Sequence, residues 1–362
     1  MKIVVTGTRG IPNILGGVET HCEELFPLIA SEKYDVTIIR RTSYTLDTLT
    51  EYKGIKLIDI DMPKRKAFEA IIHTIKAILK AKQLKADILH VHAIGPALAI
   101  PLARLLGLKV VFTHHGPDYN RERWGKIAKF MLRLGERIGA KYANEVIVIS
   151  EVINTILKEK YNRTNAHLIH NGVPAPNFIY DTNYLDELGV SPNKYIFAMG
   201  RFVPEKHFHL LIEAFSSLKN KDGYRLVLAG DSNFNDGYSR ELKVTARRKG
   251  VVLPGFIKGE KLQELLTHAS AFVLPSSHEG LPISLLEAMS YDLPAIVSDI
   301  PANLEVGLPP ESYFPVGNVE KLAEKLQKLI DEKPGKCVYS MDKYHWDIIA
   351  GQTMGVYDKI AP

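Results

Sequence analysis

The sequence predicts an α/β protein built from two doubly wound, Rossmann-like domains, and three observations carry that prediction. At 362 residues the chain exceeds the size at which a single core usually stops growing. Short, continuous apolar runs alternate with helical patterns along its whole length, as parallel strands covered on both faces require. The alternation occurs twice, on either side of a linker expected at Asn171 to Asn177, where Gly172, Pro174 and Pro176 cluster.

In the first half, strands are expected at 3–5, 35–39, 55–59, 87–92, 109–114 and 145–150, where Val, Ile and Leu dominate. Helices are expected at 18–30, 67–82, 95–106 and 124–142. The second half repeats the pattern, with strands at 195–199, 225–229, 251–253, 271–274 and 295–297. Ligands of such sheets bind beyond the carboxyl ends of the strands. Those ends carry Gly16 and Gly17, His92, His114, His115 and Ser150 in the first half, and Gly230 and Phe256 in the second.

A hydrophobic share of 46% with 24% charged residues fits a globular protein and excludes a disordered one. No apolar run reaches membrane-spanning length, and residues 1–5 lead into a glycine turn rather than a signal-peptide core, so a cytoplasmic location is expected. Cys22 and Cys337 give neither a disulfide framework nor a zinc spacing. Residues 1–173 hold 26 Lys and Arg against 17 Asp and Glu, whereas the remainder holds 20 against 24. No recognition motif accompanies the basic half, so nucleic acid is not expected as a partner. An anionic membrane surface or a lipid-phosphate acceptor suits the asymmetry better. Two segments could supply that contact: Lys64 to Lys85, with Lys64, Arg65, Lys66, Lys76, Lys80 and Lys82 beside Ile71, Ile72, Ile75, Ile78 and Leu79, and Arg121 to Lys141, with Arg123, Lys126, Lys129, Arg133 and Arg137 around Trp124 and Phe130. A surface helix packed on the sheet is the plainer reading of the first.

The most specific local signal is Glu279-Gly-Leu-Pro-Ile-Ser-Leu-Leu-Glu287, two carboxylates eight positions apart, one in a loop and one in a helix. With Pro282 in the first turn, the amides of Ile283, Ser284 and Leu285 would point from a helix N-terminus that favours an anion, while Leu281 lines the approach. Glu279 and Glu287 would then reach hydroxyls on either side of a diphosphate. Upstream, Gly200-Arg-Phe-Val-Pro-Glu-Lys206 follows a strand and brings Arg201 and Lys206 to its end, where paired cations neutralise a departing diphosphate. Gly16-Gly17 opens a helix and allows close backbone approach to a phosphate. The nearby Thr6-Gly-Thr-Arg-Gly10 turn does not complete a dinucleotide fingerprint, which argues against a nicotinamide enzyme. His90 and His92 share one strand face, but no carboxylate or cysteine stands at a convincing ligand spacing, so no metal is expected. Asp59-Ile-Asp61 reads as a turn.

Taken in order, Ile14-Leu-Gly-Gly-Val-Glu19, Thr113-His-His-Gly116, Asn171-Gly172-Val173, Gly200 to Lys206 and Glu279 to Glu287 resemble the motifs of GT4-family retaining glycosyltransferases, especially bacterial polysaccharide-assembly members. The resemblance spans most of the chain. It implies a GT-B fold, two doubly wound domains facing across a deep cleft, with 1–173 plus a returning helix at about 346–362 forming the acceptor-side domain and 174–345 the nucleotide-sugar domain. It implies metal-independent transfer, without a cofactor, from a nucleoside diphosphate sugar to a glycan or lipid-linked hydroxyl acceptor. Arg201 and Lys206 would hold the diphosphate, Glu279 the donor sugar and Glu287 the ribose, with Gly16, Gly17 and His115 completing the site and His114 a bystander. The pattern departs at His207, where relatives often carry glycine. The alternatives are a sugar-nucleotide epimerase, or a peripheral membrane-binding protein with a degenerate nucleotide site.

Overall fold

The computed structural model describes residues 1–361 apart from 46, 62–68, 122–123 and 233–236. The chain divides into two compact units, one of Met1–Gly172 with Lys343–Pro362, the other of Val173–Asp342.

The first unit runs β1 (Lys2–Thr6), α1 (Gly17–Ile29), β2 (Asp35–Arg41), the short β3 (Glu51–Tyr52), β4 (Ile55–Ile60), α2 (Glu69–Gln83) and β5 (Ile88–His92). It continues through α3 (Ile100–Leu105), β6 (Lys109–His114), α4 (Lys126–Tyr142), β7 (Glu145–Val148), α5 (Glu151–Tyr161) and β8 (His167–Leu168). Its sheet has the order β3-β4-β2-β1-β5-β6-β7-β8 and is parallel except where β3 meets β4. The chain moves outward from β1 to β4 and then crosses to the other side of β1 with β5. The topological switch, where such sheets open a crevice, therefore lies between β1 and β5. Ile3 and Val5 of β1 share a core with Cys22, Leu25, Phe26 and Ile29 of α1.

The second unit contains α6 (Asn183–Leu188), β9 (Tyr195–Met199), α7 (Phe208–Ser216), β10 (Arg225–Ala229), α8 (Gly237–Arg248), β11 (Val252–Gly255) and α9 (Glu260–His268). It closes with β12 (Ala271–Leu274), α10 (Ile283–Ser290), β13 (Ala295–Ser298), α11 (Pro301–Leu304), β14 (Tyr313–Phe314) and α12 (Val319–Glu332). All pairings in its β11-β10-β9-β12-β13-β14 sheet are parallel, and its switch lies between β9 and β12.

The last helix, α13 (Trp346–Ile360), belongs to the first unit. It adds Trp346, Ile349, Ala350, Val356 and Tyr357 to the core beside α1, and the Tyr357 hydroxyl meets His90 Nδ1 at 2.6 Å. A Cβ on Gly172 would stand 2.5 Å from the Trp346 ring. Asn171 and Gly172 are thus core residues of the first unit rather than the start of a loose linker.

Local chemistry explains where the sequence pattern and the fold part. The stretch 95–106 is a single 3-10 turn, Pro96–Ala99, followed by α3, because Pro96 and Pro101 each sit at a start, where a missing N–H is tolerated. The strand expected to reach 150 ends at Val148, and Ser150 caps α5 by accepting the Ile153 N–H. Asp59 is not in a turn but on β4, where it grips a wholly buried guanidinium. Arg40 donates from Nε and Nη2 to Asp59 (2.7 and 3.0 Å), from Nη1 to Asp47 (2.8 Å) and the Ile11 carbonyl (3.1 Å), and from Nη2 to the Leu49 carbonyl (2.9 Å). All five of its N–H groups are used, so one side chain ties β2 to β4 and to the loop after β1. Arg40→Met is expected to cost about 3–5 kcal/mol, as breaking a buried ionic network does, while Asp61→Asn stays within about 0.5 kcal/mol. Urea unfolding of both variants measures this; equal losses would contradict a structural role confined to Asp59.

Candidate active site

In the second unit the expected donor residues gather at the β9/β12 switch. Lys206 ends a 3-10 turn, Pro204–Lys206, just beyond β9, and its Nζ lies 2.5 Å from Glu279 Oε1 in the loop after β12. The two loops are also joined by the Ser277 N–H donating to the Glu205 carbonyl at 2.9 Å. Burial opposes charge on Glu279, but the adjacent Lys206 ammonium outweighs it and holds the carboxyl below its ordinary range. Both side chains are mostly shielded, so the pair is a preformed charged centre rather than a surface bridge. Arg201 is half-buried at the start of the same loop. His207 adopts φ 51° and ψ 28°, the left-handed conformation that glycine favours. The histidine keeps the glycine-type path behind Lys206 at a cost of about 1 kcal/mol.

Close backbone packing shapes this rim. A Cβ on Gly230, at φ 131°, would stand 1.9 Å from the Gly200 carbonyl oxygen. The Gly200 N–H donates to Ala229 and the Gly230 N–H to Gly255, so the ends of β9, β10 and β11 lie flush. Phe256, next after β11, is 42% exposed and offers an aromatic face at the same edge. The helix α10 starts one residue later than expected. Pro282 is its N-cap rather than a first-turn residue, and the Leu285 N–H is already bound to the Pro282 carbonyl. The amides of Ile283 and Ser284 remain without a partner among the described residues, with no side-chain cap. An uncapped helix N-terminus of this kind attracts an anion. Leu281 and Pro282 are buried supports, whereas Ile283, Ser284 and Glu287 share the partly exposed face of α10.

In the first unit, Gly16 is the N-cap of α1 and Gly17 its first residue. A Cβ on Gly16 would collide with the Glu19 carboxylate, whose Oε1 accepts the Arg9 N–H (3.0 Å) and the Thr8 hydroxyl (3.4 Å). Glu23 likewise accepts the Asn13 N–H at 3.1 Å. The glycine loop is therefore fastened to α1 by two carboxylates that its glycine signal does not reveal.

His115 stands among other rings. His92 Nδ1 is 2.8 Å from His115 Nε2, and the His21 ring centre lies 4.9 Å from that of His115. His21 Nδ1 is 3.0 Å from Asn171 Oδ1, which only an Nδ1–H can satisfy because that oxygen accepts. His90 is spent on Tyr357 and on the Thr113 hydroxyl at 2.6 Å, so the face shared by His90 and His92 divides into one structural and one clustered imidazole. His114, expected as a bystander, anchors the loop that carries His115. Its Nδ1 accepts the Gly116 N–H (3.0 Å), which makes Nε2 the donor to the buried Glu136 (2.8 Å). Glu136 also accepts from the Tyr119 and Tyr161 hydroxyls. The roles of His21, Asn171 and Glu136 escaped the sequence reading because they come from long-range packing: Asn171 reads there only as the start of the linker, and only the position of His21 after the glycine pair hinted at its role.

The basic segments are partly described: Lys64, Arg65, Lys66, Ala67 and Arg123 lie outside the described residues. Along α2 the buried stripe runs through His73, Thr74, Ala77, Ile78 and Ala81, leaving Ile75 and Leu79 on the exposed side. On α4, Ile127 and Phe130 are 83% and 63% exposed beside Lys126 and Arg133, while Tyr119 is core. No described helix is long and apolar enough to cross a membrane.

Two doubly wound units are the architecture of the GT-B class of sugar-transferring enzymes. Model matches agree: "Glycosyltransferase Family 4" covers residues 15–175 and "Glycosyl transferases group 1" covers 184–344. The chain belongs to the GT4-type glycosyltransferases. It is 28% identical over 322 residues, 83% of this chain and 81% of the relative, to an Escherichia coli UDP-Gal:alpha-D-GlcNAc-diphosphoundecaprenol alpha-1,3-galactosyltransferase. It is 27% identical over 295 residues, 76% and 72% of the two chains, to a Komagataeibacter xylinus GDP-mannose:cellobiosyl-diphosphopolyprenol alpha-mannosyltransferase. The fold is similar to that of sucrose-phosphate synthase from Thermosynechococcus elongatus, with TM-score 0.84 at 18% identity over 99% of this chain and 98% of that one. It is also similar to Anabaena HepE in complex with UDP and glucose, with TM-score 0.82 at 18% identity over 99% and 100%.

Burial lowers His21 to about 4 and His90 to about 3 from an ordinary 6.5. The folded chain keeps these rings neutral, so the unfolded chain binds more protons below pH 6.5. Stability is therefore full above that pH and falls as pH drops toward 4. At pH 5 each ring is expected to have withdrawn about 2 kcal/mol. Thermal unfolding between pH 8 and pH 5 reads this as a falling Tm; a flat profile would show the rings to be solvated.

Proposed function

We propose that this glycosyltransferase is a retaining, metal-independent enzyme that transfers a hexose from a nucleoside diphosphate sugar to a hydroxyl of a polyprenyl-diphosphate-linked or other polysaccharide-precursor glycan. The observation that carries the proposal is the preformed Lys206–Glu279 centre beside the uncapped N-terminus of α10. There the donor diphosphate receives the Ile283 and Ser284 amides and the Lys206 ammonium, with Arg201 as a second cation from the same loop. As the bond from the anomeric carbon to the diphosphate breaks, negative charge grows on the departing oxygen. Fixed donors in a shielded site stabilise that charge more than solvent does. The acceptor oxygen bonds to the anomeric carbon on the face that the diphosphate leaves, and its proton passes to the departing phosphate oxygen. Glu279 orients Lys206 and turns its second oxygen to the sugar hydroxyls, while Glu287 takes the ribose. On this reading no divalent cation is required, because Lys206, Arg201 and the N-terminus of α10 supply the positive charge that the diphosphate needs. A polyprenyl-linked acceptor is supported by the two relatives above, whose names specify diphosphate-linked lipid acceptors although their donors differ in base.

Purified protein incubated with UDP-, GDP-, dTDP- and ADP-hexoses in chelator, with a polyprenyl-diphosphate sugar as acceptor, is expected to release one nucleoside diphosphate only when acceptor is present. Lys206→Ala is expected to lower kcat about 10²- to 10³-fold, the usual loss of one charge-stabilising donor, and to remain folded by circular dichroism while losing up to about 3–5 kcal/mol of stability, because Glu279 is left shielded and without its cation. Isomerisation without acceptor would favour an epimerase, and full activity in folded Lys206→Ala would remove the diphosphate assignment.

We further propose that the first unit approaches the acceptor at an anionic membrane surface. Ile127 and Phe130 on α4, with Leu79 on α2 and Leu105 on α3, are exposed apolar side chains among Lys126, Arg133, Arg137 and Lys141 on α4, and Lys76, Lys80 and Lys82 on α2. Sedimentation with phosphatidylglycerol vesicles is expected to carry the protein down at low salt and release it at high salt, with Ile127→Asp/Phe130→Asp weakened. Equal sedimentation with neutral vesicles, or none with either, would contradict this.

A further inference from the structure

The first unit brings His21, His92 and His115 together from α1, the end of β5 and the residue after β6, and one nitrogen of each lies within 4.8 Å of the other two. We propose that these three imidazoles form a binding site for a borderline transition-metal ion of the Zn²⁺, Co²⁺ or Ni²⁺ kind.

The tautomers and partners support the geometry. Asn171 Oδ1 accepts from His21 Nδ1–H and so leaves Nε2 of His21 as the ligating atom. A ring nitrogen fixed by a carbonyl oxygen behind the ligating one is the usual arrangement of a metal-binding histidine. His92 Nδ1 and His115 Nε2 already face each other at 2.8 Å. In a tetrahedral site with metal–nitrogen bonds of about 2.0–2.1 Å, ligand nitrogens stand about 3.3 Å apart. An ion therefore replaces the His92–His115 hydrogen bond with a small outward shift of two rings, and draws His21 in. Burial disfavours the imidazolium form of all three rings, which leaves each with a lone pair to give. The donor set fixes the class of ion. Three neutral nitrogens suit Zn²⁺, Co²⁺ and Ni²⁺, whereas Mg²⁺ and Ca²⁺ take oxygen ligands. The site is thus distinct in chemistry from any ion that would accompany a diphosphate, and the transfer proposed above does not require it. Three protein ligands also leave a fourth position for water or a hydroxyl.

The test is titration of chelator-stripped full-length protein with Zn²⁺ by calorimetry, and with Co²⁺ by its visible absorption, which intensifies in tetrahedral coordination. One ion per chain is expected, with no response to Mg²⁺. His92→Gln and His21→Ala are each expected to weaken binding at least 100-fold, and Asn171→Ala about 10- to 100-fold, with circular dichroism confirming that the variants fold. His209→Ala serves as the control, because His207 and His209 have ring centres 5.6 Å apart and form the alternative imidazole pair. Unchanged binding in that control supports the proposal. No stoichiometric binding by the wild-type chain, or loss of binding in His209→Ala with retention in His21→Ala, would overturn it. If His21→Ala does not fold, His92→Gln and Asn171→Ala decide the matter, and wild-type affinity in both would count against it.

Discussion

Both sheets depend on strand ends that leave no room for a Cβ. At the β1/β5 switch, a Cβ on Gly7 would stand 2.1 Å from the His92 carbonyl oxygen. Beside the β9/β12 switch, a Cβ on Gly230 would stand 1.9 Å from the Gly200 carbonyl oxygen. Both glycines have positive φ, at 99° and 131°, where side chains are already disfavoured. Backbone pressed on backbone at these edges fixes how far each loop extends before it turns, and the functional groups inherit that precision. Lys206 meets Glu279 because the loops after β9 and β12 are set at one edge, and His92 meets His115 because β5 and β6 end side by side.

The two units use polarity differently at these edges. In the second, the centre is ionic, and one cation already has its carboxylate; an arriving diphosphate joins an existing charge pair rather than filling an uncompensated one. In the first, the rings around His115 are kept uncharged by burial, and they satisfy one another or neutral partners such as Asn171, Tyr357 and Thr113. The exception is the buried Glu136, which burial alone would push toward the neutral form. Donation from His114, Tyr161 and Tyr119 instead holds it below the usual carboxylate range. A carboxylate with that many donors is a rigid post, and it stands behind the loop that presents His115.

Much of this was legible in the sequence because it is local. Tyr195–Met199, Arg225–Ala229, Ala271–Leu274 and Lys109–His114 are strands with the expected ends, since their apolar runs are bounded by glycine, proline or charged residues. The spacing of Glu279 and Glu287 showed that one lies in a loop and the other in a helix, because loop, cap and helix follow one another without interruption. What the sequence concealed are contacts across long separations. Asp59 read as part of a turn because the guanidinium it holds, that of Arg40, lies 19 positions away. His114 looked idle because Glu136 lies a helix away, and the apolar stripe of α2 did not reveal that Ile75 and Leu79 stay exposed, because an amphipathic count cannot tell which edge of a broad stripe meets the sheet.

The most direct test of the account is a crystal structure of the protein with a nucleoside diphosphate. The account predicts the terminal phosphate within hydrogen-bond distance of the Ile283 and Ser284 amides and of Lys206 Nζ, with Glu279 retained beside the lysine. A diphosphate seated instead at Gly16 and Gly17, or away from the N-terminus of α10, would contradict it.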